Sequence, residues 1–445
     1  MTDTNAKQTA RGVALAALVR IEDGAFANVA LPAILRRSEL DTRSRAQATD
    51  LVYGTLRRQR SLDYLLSQKM NRKIGALDPP VRAALRMGVF QLVEGVPAHA
   101  AVGETVTEIG LVQAYARGYV NAVLRRVSEM GPDWPWPQGD NTKSLAVRTS
   151  MPDWIAELLV SDLGYESARG MLEAANRPGV LTLRPNLLRT SCDDLVKELE
   201  RDGATVRRGS LIEDSLLVYG AGDPATLPAI AAGRATPQDQ ASQEVARLVG
   251  AQPGECILEI GAAPGGKATA IAEAMNDTGQ VVALDSDTGR LRLVTNAKAR
   301  LGLQSVTSVA ADGRKPGLRP NHFDRVLVDA PCTGLGVLSR RPEARWRLRP
   351  EQISQLGDLQ RELLTSAAGL VKPGGLLVYS VCTLTALETR AIADWAVNTF
   401  DGLVPEPLPD APWEQDGPGA RLLPQAAGTD GMWILRLRKC NPGAG

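Results

Sequence analysis

Five apolar runs in the second half of the chain limit its fold more than any other feature. ECILEI (255–260), QVVALD (280–285), SVTSVAAD (305–312), RVLVDA (325–330) and GGLLVYSVCT (374–383) each read as a buried strand leading into a loop, with helical stretches between several of them. Near-continuous apolar strands are what a parallel sheet covered on both faces requires, and the recurring order strand, loop, helix predicts a doubly wound α/β sheet. The first run leads into a glycine-rich loop, and the next three end at Asp285, Asp312 and Asp329. Ligands of open α/β sheets bind beyond the carboxyl ends of the strands, so these acids form a constellation rather than scattered charges. MWILRLRK (432–439) reads as a late strand.

The first part of the chain has a different period. Leu31, Ile34 and Leu35, then Leu62, Leu65 and Leu66, then Val81, Leu85, Val89 and Leu92, then Val120, Val123, Leu124 and Val127 repeat at helical spacing, predicting an all-helical domain over 1–130. GPDWPWPQGDNTK (131–143) crowds proline and glycine together and predicts a linker over 131–144. Residues 145–232 alternate between types: helices in PDWIAELLVSDLG and CDDLVKELERDG, and strands in VLTLRPN, ATVRR and SLLVYG. They predict a small α+β module ahead of the sheet domain at 233–445. A chain of 445 residues accommodates these divisions.

Whole-chain charge is nearly balanced, with 51 Lys and Arg against 50 Asp and Glu, but residues 1–130 hold 18 against 12, a surplus consistent with an approach to phosphates. No leader pattern and no apolar run long enough to span a bilayer is present, which gives an expectation of a cytoplasmic protein without a membrane partner. Cys192, Cys256, Cys332, Cys382 and Cys440 contain no C-x-x-C, and His99 and His322 are the only histidines, so neither a metal centre nor a disulfide framework is expected.

The glycine loop, EIGAAPGGKATAIAEAM (259–275), admits two readings. Gly261, Gly266 and Lys267 match most of a phosphate-binding P-loop, but Ala268 stands where a Ser or Thr must hold magnesium. The other reading is a nucleoside-cofactor loop, in which Gly261, Ala262, Ala263, Pro264, Gly265, Gly266 and Lys267 let the cofactor approach the strand end. Asp285, 19 residues after Gly266, stands where an acid accepts bonds from ribose hydroxyls, with Asp312 and Asp329 at the next strand ends. A redox enzyme would leave Cys332 and Cys382 unexplained, whereas methyl transfer from S-adenosylmethionine gives them work. Carbon 5 of cytosine is too poor a nucleophile to attack a methyl sulfonium until a thiolate adds to carbon 6. A base must then remove the carbon-5 proton before the cysteine is expelled. Asp329 is the acid expected near ring nitrogen 3, and Lys267 the charge that favours a thiolate or orients Asp329. Either cysteine fits the attack on this reasoning.

GAAPGGK, DAPCTGLGVLSRRPEARW and VKPGGLLVYSVCTL resemble the signature motifs of the Nol/Nop/Sun family of RNA cytosine-5 methyltransferases. The resemblance implies a Rossmann-like class I methyltransferase sheet, Cys382 as nucleophile and Cys332 as the thiol that assists product release. LVYGTLRRQRSLDYLL, LRMGVFQLVEGVPAHAAVGETV and GYVNAVLRR resemble the NusB-like RNA-binding domain of the Sun branch, while TPQDQASQEVARLV and GTDGMWILRLRK resemble further family motifs. With nearly the whole chain covered, the resemblance implies methylation of a cytidine in small-subunit ribosomal RNA. Three positions depart from the pattern: Gly261 where Cys is usual, Glu259 where Asp is usual, and Val381 where Thr precedes the nucleophile.

After Cys332, Arg340, Arg341, Arg345 and Arg347 surround Trp346, a mixture suited to phosphates and an unstacked base, and these five are expected to bind RNA. The target base must leave its stack, so single-stranded or loop RNA is the expected substrate. Two rival classes are a nucleotide hydrolase, opposed by Ala268, and a non-catalytic RNA-binding assembly factor, opposed by the intact Cys332, Cys382 and Asp329. Another RNA such as tRNA is the alternative substrate.

Overall fold

A computed structural model describes residues 8–441. It divides into two compact units, each considered separately. One unit holds the chain up to Pro178 together with the short segment Leu338–Arg347, and the other holds Gly179–Val337 and Leu348 onward.

The first unit is helical. Helices Ala10–Glu22, Thr42–Arg57, Gln59–Ser67, Pro79–Val93, Ala98–Val112 and Arg117–Ser128 surround one apolar core. The residues at helical spacing fill it: Leu62, Leu65, Leu66, Leu85, Val89, Val120, Val123, Leu124 and Val127 have no exposed surface. Burial of such stripes is the main source of helix stability in a globular unit. Local signals set the starts: the Asp41 side chain accepts the Ser44 N–H, and Pro79 supplies the fixed φ of a first helical turn. The Pro-rich stretch stays irregular up to Thr142. By their contacts, helices Thr142–Arg148, Asp153–Leu163 and Tyr165–Ala174 fall in the same unit.

The second unit contains two sheets among the described residues. The smaller is antiparallel, in the order Thr205–Arg208, Leu216–Tyr219, Leu181–Pro185, Ala235–Pro237. The larger has a parallel core in the order Val306–Ala310, Gln280–Asp285, Cys256–Ile260, Phe323–Asp329, Val371–Val381. Met432–Lys439 pairs antiparallel with Val371–Val381, which confirms a late strand, and Gly419–Leu422, Glu414–Asp416 and Leu403–Pro405 extend that side. These last three short strands carry too few apolar residues to show an alternating pattern in the sequence. Neighbour order reverses direction at Cys256–Ile260, the first strand of the parallel core. The chain first builds toward Val306–Ala310 and then crosses to Phe323–Asp329. The crevice at such a switch point is where an open α/β sheet binds ligand. No described helix is long and apolar enough to cross a membrane.

Candidate active site

The glycine loop leaves the first strand at the switch point. Gly261 has φ +81°, and a Cβ built there would lie 2.2 Å from the Asp329 carbonyl oxygen, so this path requires glycine. Gly265, at φ +102°, caps the helix Gly266–Ala274, and its missing Cβ lets the loop pass against Val294. Arg184, from the smaller sheet, braces the start of this helix. It donates to the Gly266 carbonyl at 2.7 Å and forms a two-pronged pair with Glu273 at 3.0 Å. Nothing in the sequence around Arg184 marks it, because its partners are roughly eighty to ninety residues away.

The three strand-end acids play different parts. Asp285 is buried and turns back toward the loop, accepting the Ala263 N–H at 3.1 Å and the Asp287 N–H at 3.0 Å. Asp312 is exposed and pairs with Arg314 at 2.7 Å, whose bonds pull the carboxyl down to about 2. Asp329 accepts Lys267 Nζ at 2.6 Å on one oxygen and Ser380 Oγ at 3.1 Å on the other. Lys267 projects from the first turn of the helix, nearly buried, and Asp329 ends the neighbouring strand, so the switch point itself brings the two together.

The next strand end contributes the thiols. Phe323–Asp329 and Val371–Val381 pair in parallel register up to Asp329 with Ser380, so the loops that follow start side by side. Cys332 and Cys382 are both partly exposed, with sulfurs 3.3 Å apart and no disulfide. Their protonation is unequal. The hydrogen bond from Cys332 lowers Cys382 below the ordinary thiol range against the opposing effect of burial, and Lys267 adds to the lowering. Cys332 is held well above that range by the same bond and by burial. The pair therefore favours a thiolate at Cys382 and a neutral donor at Cys332. Val381 is fully buried and paired with Trp433, so its side chain serves the core.

Two buried acids, Glu388 and Glu259, flank the site in ways the sequence pattern does not mark. Glu388 accepts several bonds around the cysteine loops. Glu259 is 1 % exposed, one of its oxygens has no partner, and burial, followed by repulsion from Asp329, pushes it up to about 8. A carboxyl that ionises near 4.5 unfolded and about 8 folded binds more protons in the folded state throughout that window. Its stabilising contribution is complete below pH 4.5 and is lost as pH rises toward 8. Glu259→Gln keeps the shape and removes the titration. The variant is expected to lack a pH slope on the order of 1 kcal/mol per unit that the wild type shows across this range in urea midpoints. Equal slopes in the two proteins would contradict the buried neutral acid.

The basic segment after Cys332 departs from expectation. Arg345 is fully buried: one guanidinium nitrogen donates to the carbonyls of Arg57 (3.1 Å) and Ser150 (3.2 Å) and to Asn176 Oδ1 (2.8 Å), the other to the Ala175 carbonyl (3.1 Å). Its expected RNA contact is therefore withdrawn, since no surface remains for a phosphate. Trp346 donates its indole N–H to the Leu56 carbonyl at 3.2 Å, and Arg347 bonds the Ile21 and Ala25 carbonyls and lies over the Phe26 ring. These two are likewise committed to holding the helical unit together. Arg340 is partly exposed and Arg341 exposed.

Comparison with known proteins places this arrangement. The model of the 16S rRNA methyltransferase RsmB/F family matches residues 246–438, that of the NusB family residues 8–129, and that of the RsmF/B-like ferredoxin-like domain residues 151–223. The ribosomal RNA small subunit methyltransferase B of Thermus thermophilus is 34% identical over 435 residues, covering 97% of this chain and 98% of that one. The protein of that name in Vibrio cholerae is 33% identical over 437 residues, covering 96% and 97%. The crystal structure of PH0851 superposes with a TM-score of 0.82 at 26% identity, covering 97% of this chain and 99% of that one. The chain belongs to the RsmB/F methyltransferase family. Membership agrees with the resemblance carried by GAAPGGK, the Pro-Cys loop and the later Val-Cys-Thr segment, and the NusB match accounts for the helical unit that precedes them. The fold is likewise that of an RsmB/F enzyme: a NusB-like helical start followed by a Rossmann-like methyltransferase sheet.

Proposed function

We propose that this chain uses S-adenosylmethionine to methylate carbon 5 of a cytidine in small-subunit ribosomal RNA through a covalent adduct with Cys382. The observation that carries the reading is the pair of thiols, 3.3 Å apart, beyond two adjacent strand ends beside the Lys267–Asp329 pair. A P-loop hydrolase has no use for that pair, and a non-catalytic factor has no use for a lowered thiol.

The residues fit the cofactor: the side-chain-free path of Gly261 and Gly265 and the buried Asp285 form a cradle at the switch point, with Ala262, Ala263, Pro264 and Gly266 as its small-residue wall. When bound, S-adenosylmethionine supplies the electrophilic methyl that carbon 5 takes up. Cys382, as thiolate, adds to carbon 6, forming the carbon–sulfur bond and pushing the π electrons of the carbon 5–carbon 6 bond into the ring. Asp329, held by Lys267 and Ser380, stabilises the adduct at ring nitrogen 3. A base then removes the carbon-5 proton, the double bond re-forms, and Cys382 leaves with the electrons of the carbon–sulfur bond, assisted by Cys332. Arg341, exposed after the Pro-Cys loop, is proposed as a phosphate contact.

Bisulfite mapping of ribosomal RNA tests the reading. A cytidine of the small subunit resistant to conversion in the wild-type strain is expected to become fully convertible when the gene is deleted and resistant again when it is restored. An unchanged pattern in ribosomal RNA, or a resistant site lost from tRNA instead, would refute the ribosomal assignment.

A further inference from the structure

We propose that Glu388 is a positioning residue that clamps the loops carrying Cys332 and Cys382 and so sets the distance between their sulfurs. The proposal rests on the catalytic reading of the two thiols for its kinetic consequence, though not for its geometry.

The parallel ladder alone does not hold the cysteines together. Register ends at Asp329 with Ser380, and Ala330 N–H donates to the Ser380 carbonyl just beyond it. Past that point the one backbone bond between the two loops among the described residues runs from Gly336 N–H to the Cys382 carbonyl at 2.9 Å, four residues beyond Cys332. Glu388 sits between them with no exposed surface. One carboxylate oxygen accepts the Thr333 N–H at 2.8 Å and Gln360 Nε2 at 3.3 Å. The other accepts the hydroxyls of Thr333 at 2.5 Å, Thr385 at 2.8 Å and Thr383 at 3.4 Å. Gln360 also donates to the Pro331 carbonyl at 2.9 Å, and the Thr333 and Thr383 hydroxyls meet at 2.8 Å. Thr333 and Thr383, the residues after the two cysteines, are thus tied to Glu388 directly, and Pro331, before Cys332, is tied to it through Gln360.

A carboxyl group, with two oxygens and about four lone-pair sites, gathers these donors from three segments, the Thr383 hydroxyl being shared with Thr333. Tyr379 OH donates to the Glu388 carbonyl at 2.7 Å and fixes its backbone as well. Its charge adds to the hydrogen bond that Cys332 donates to Cys382 and to burial in keeping Cys332 protonated.

The geometric claim is tested without reference to methylation. Diamide, a two-electron oxidant, converts two nearby thiols to a disulfide while being reduced to its hydrazine. The rate of Cys332–Cys382 disulfide formation, followed by mass spectrometry, reports their proximity. Glu388→Ala is expected to slow it by about tenfold or more. Glu388→Gln, whose oxygen still accepts Thr333 N–H and whose amide meets hydroxyls able to turn, is expected to recover most of the rate. In multiple-turnover methylation of unmodified ribosomal RNA, the Ala variant is expected to lose kcat by about 10²-fold, with S-adenosylmethionine affinity by calorimetry unchanged. Should Glu388→Ala not fold, Gln360→Leu removes the tie to Pro331, and the same slowing of oxidation is expected from it. Wild-type oxidation rates in a folded Glu388→Ala protein, or in Gln360→Leu where it replaces it, overturn the clamp. Slowed oxidation in a chain whose wild type methylates no ribosomal RNA would keep the clamp and refute the functional reading instead.

Discussion

Cys382→Ala is expected to abolish methyl incorporation into unmodified small-subunit RNA, by at least about 10³-fold, and to leave no protein–RNA complex that survives denaturation. Cys332→Ala is expected to fail differently. Attack and methyl uptake proceed, release stalls, and a denaturation-resistant complex accumulates on gels. The asymmetry follows from the protonation of the pair. Cys382 is lowered mainly by the bond from Cys332, so removing Cys332 also raises the Cys382 thiol and shifts its attack toward alkaline pH. The adduct formed by Cys332→Ala is therefore expected to build up more slowly at neutral pH than at pH 9, while remaining stable once formed. A stable adduct with Cys382→Ala in place of Cys332→Ala would exchange the two roles and refute the assignment.

Arg345→Ala is expected to destabilise the helical unit by about 3–5 kcal/mol, a fall in melting temperature of roughly 10 °C. The guanidinium serves the carbonyls of Arg57, Ser150 and Ala175 and the Asn176 amide oxygen, and removal leaves several buried acceptors without donors. Lysine does not repair the loss, because a single ammonium cannot span acceptors on both sides of a planar fork. Arg341→Ala, on the exposed side of the same segment, is expected to move stability by less than about 0.5 kcal/mol and to reduce the salt dependence of RNA binding by about one phosphate contact. Calorimetric melting and RNA titrations at several salt concentrations read both. A normal melt with weakened RNA binding in Arg345→Ala would restore the surface role.

The contrast between these residues shows where the sequence was legible. Strands such as Gln280–Asp285 announce themselves because burial on both faces demands an unbroken apolar run, and their ends locate Asp285, Asp329 and Cys382 directly. The pairing of Lys267 with Asp329 was readable for the same reason, since the switch point follows from strand order. Glu388 and Arg345 were not. Each is a charged residue in a polar stretch, and the local pattern of a solvated face is the same as that of a group satisfied by partners distant in the chain. Asp312 shows the opposite case. It lies two residues past the end of the strand Val306–Ala310, and Arg314 two residues later takes up its carboxylate, a local competitor that strand order does not reveal.

The discontinuity of the helical unit bears on how the protein is made. Arg345 is separated from Ala175 by 170 residues and from Arg57 by 288, and its side chain fills the space between their carbonyls. On the ribosome the N-terminal helices emerge first, but the segment that supplies those carbonyls with donors is not synthesised until four strands of the parallel core have been made. Until then the bundle waits with acceptors open, at the cost of closing a long loop when the segment arrives. A nascent chain arrested before residue 338 would therefore carry a looser helical unit than the finished protein, and that unit is completed only when Leu338–Arg347 joins it.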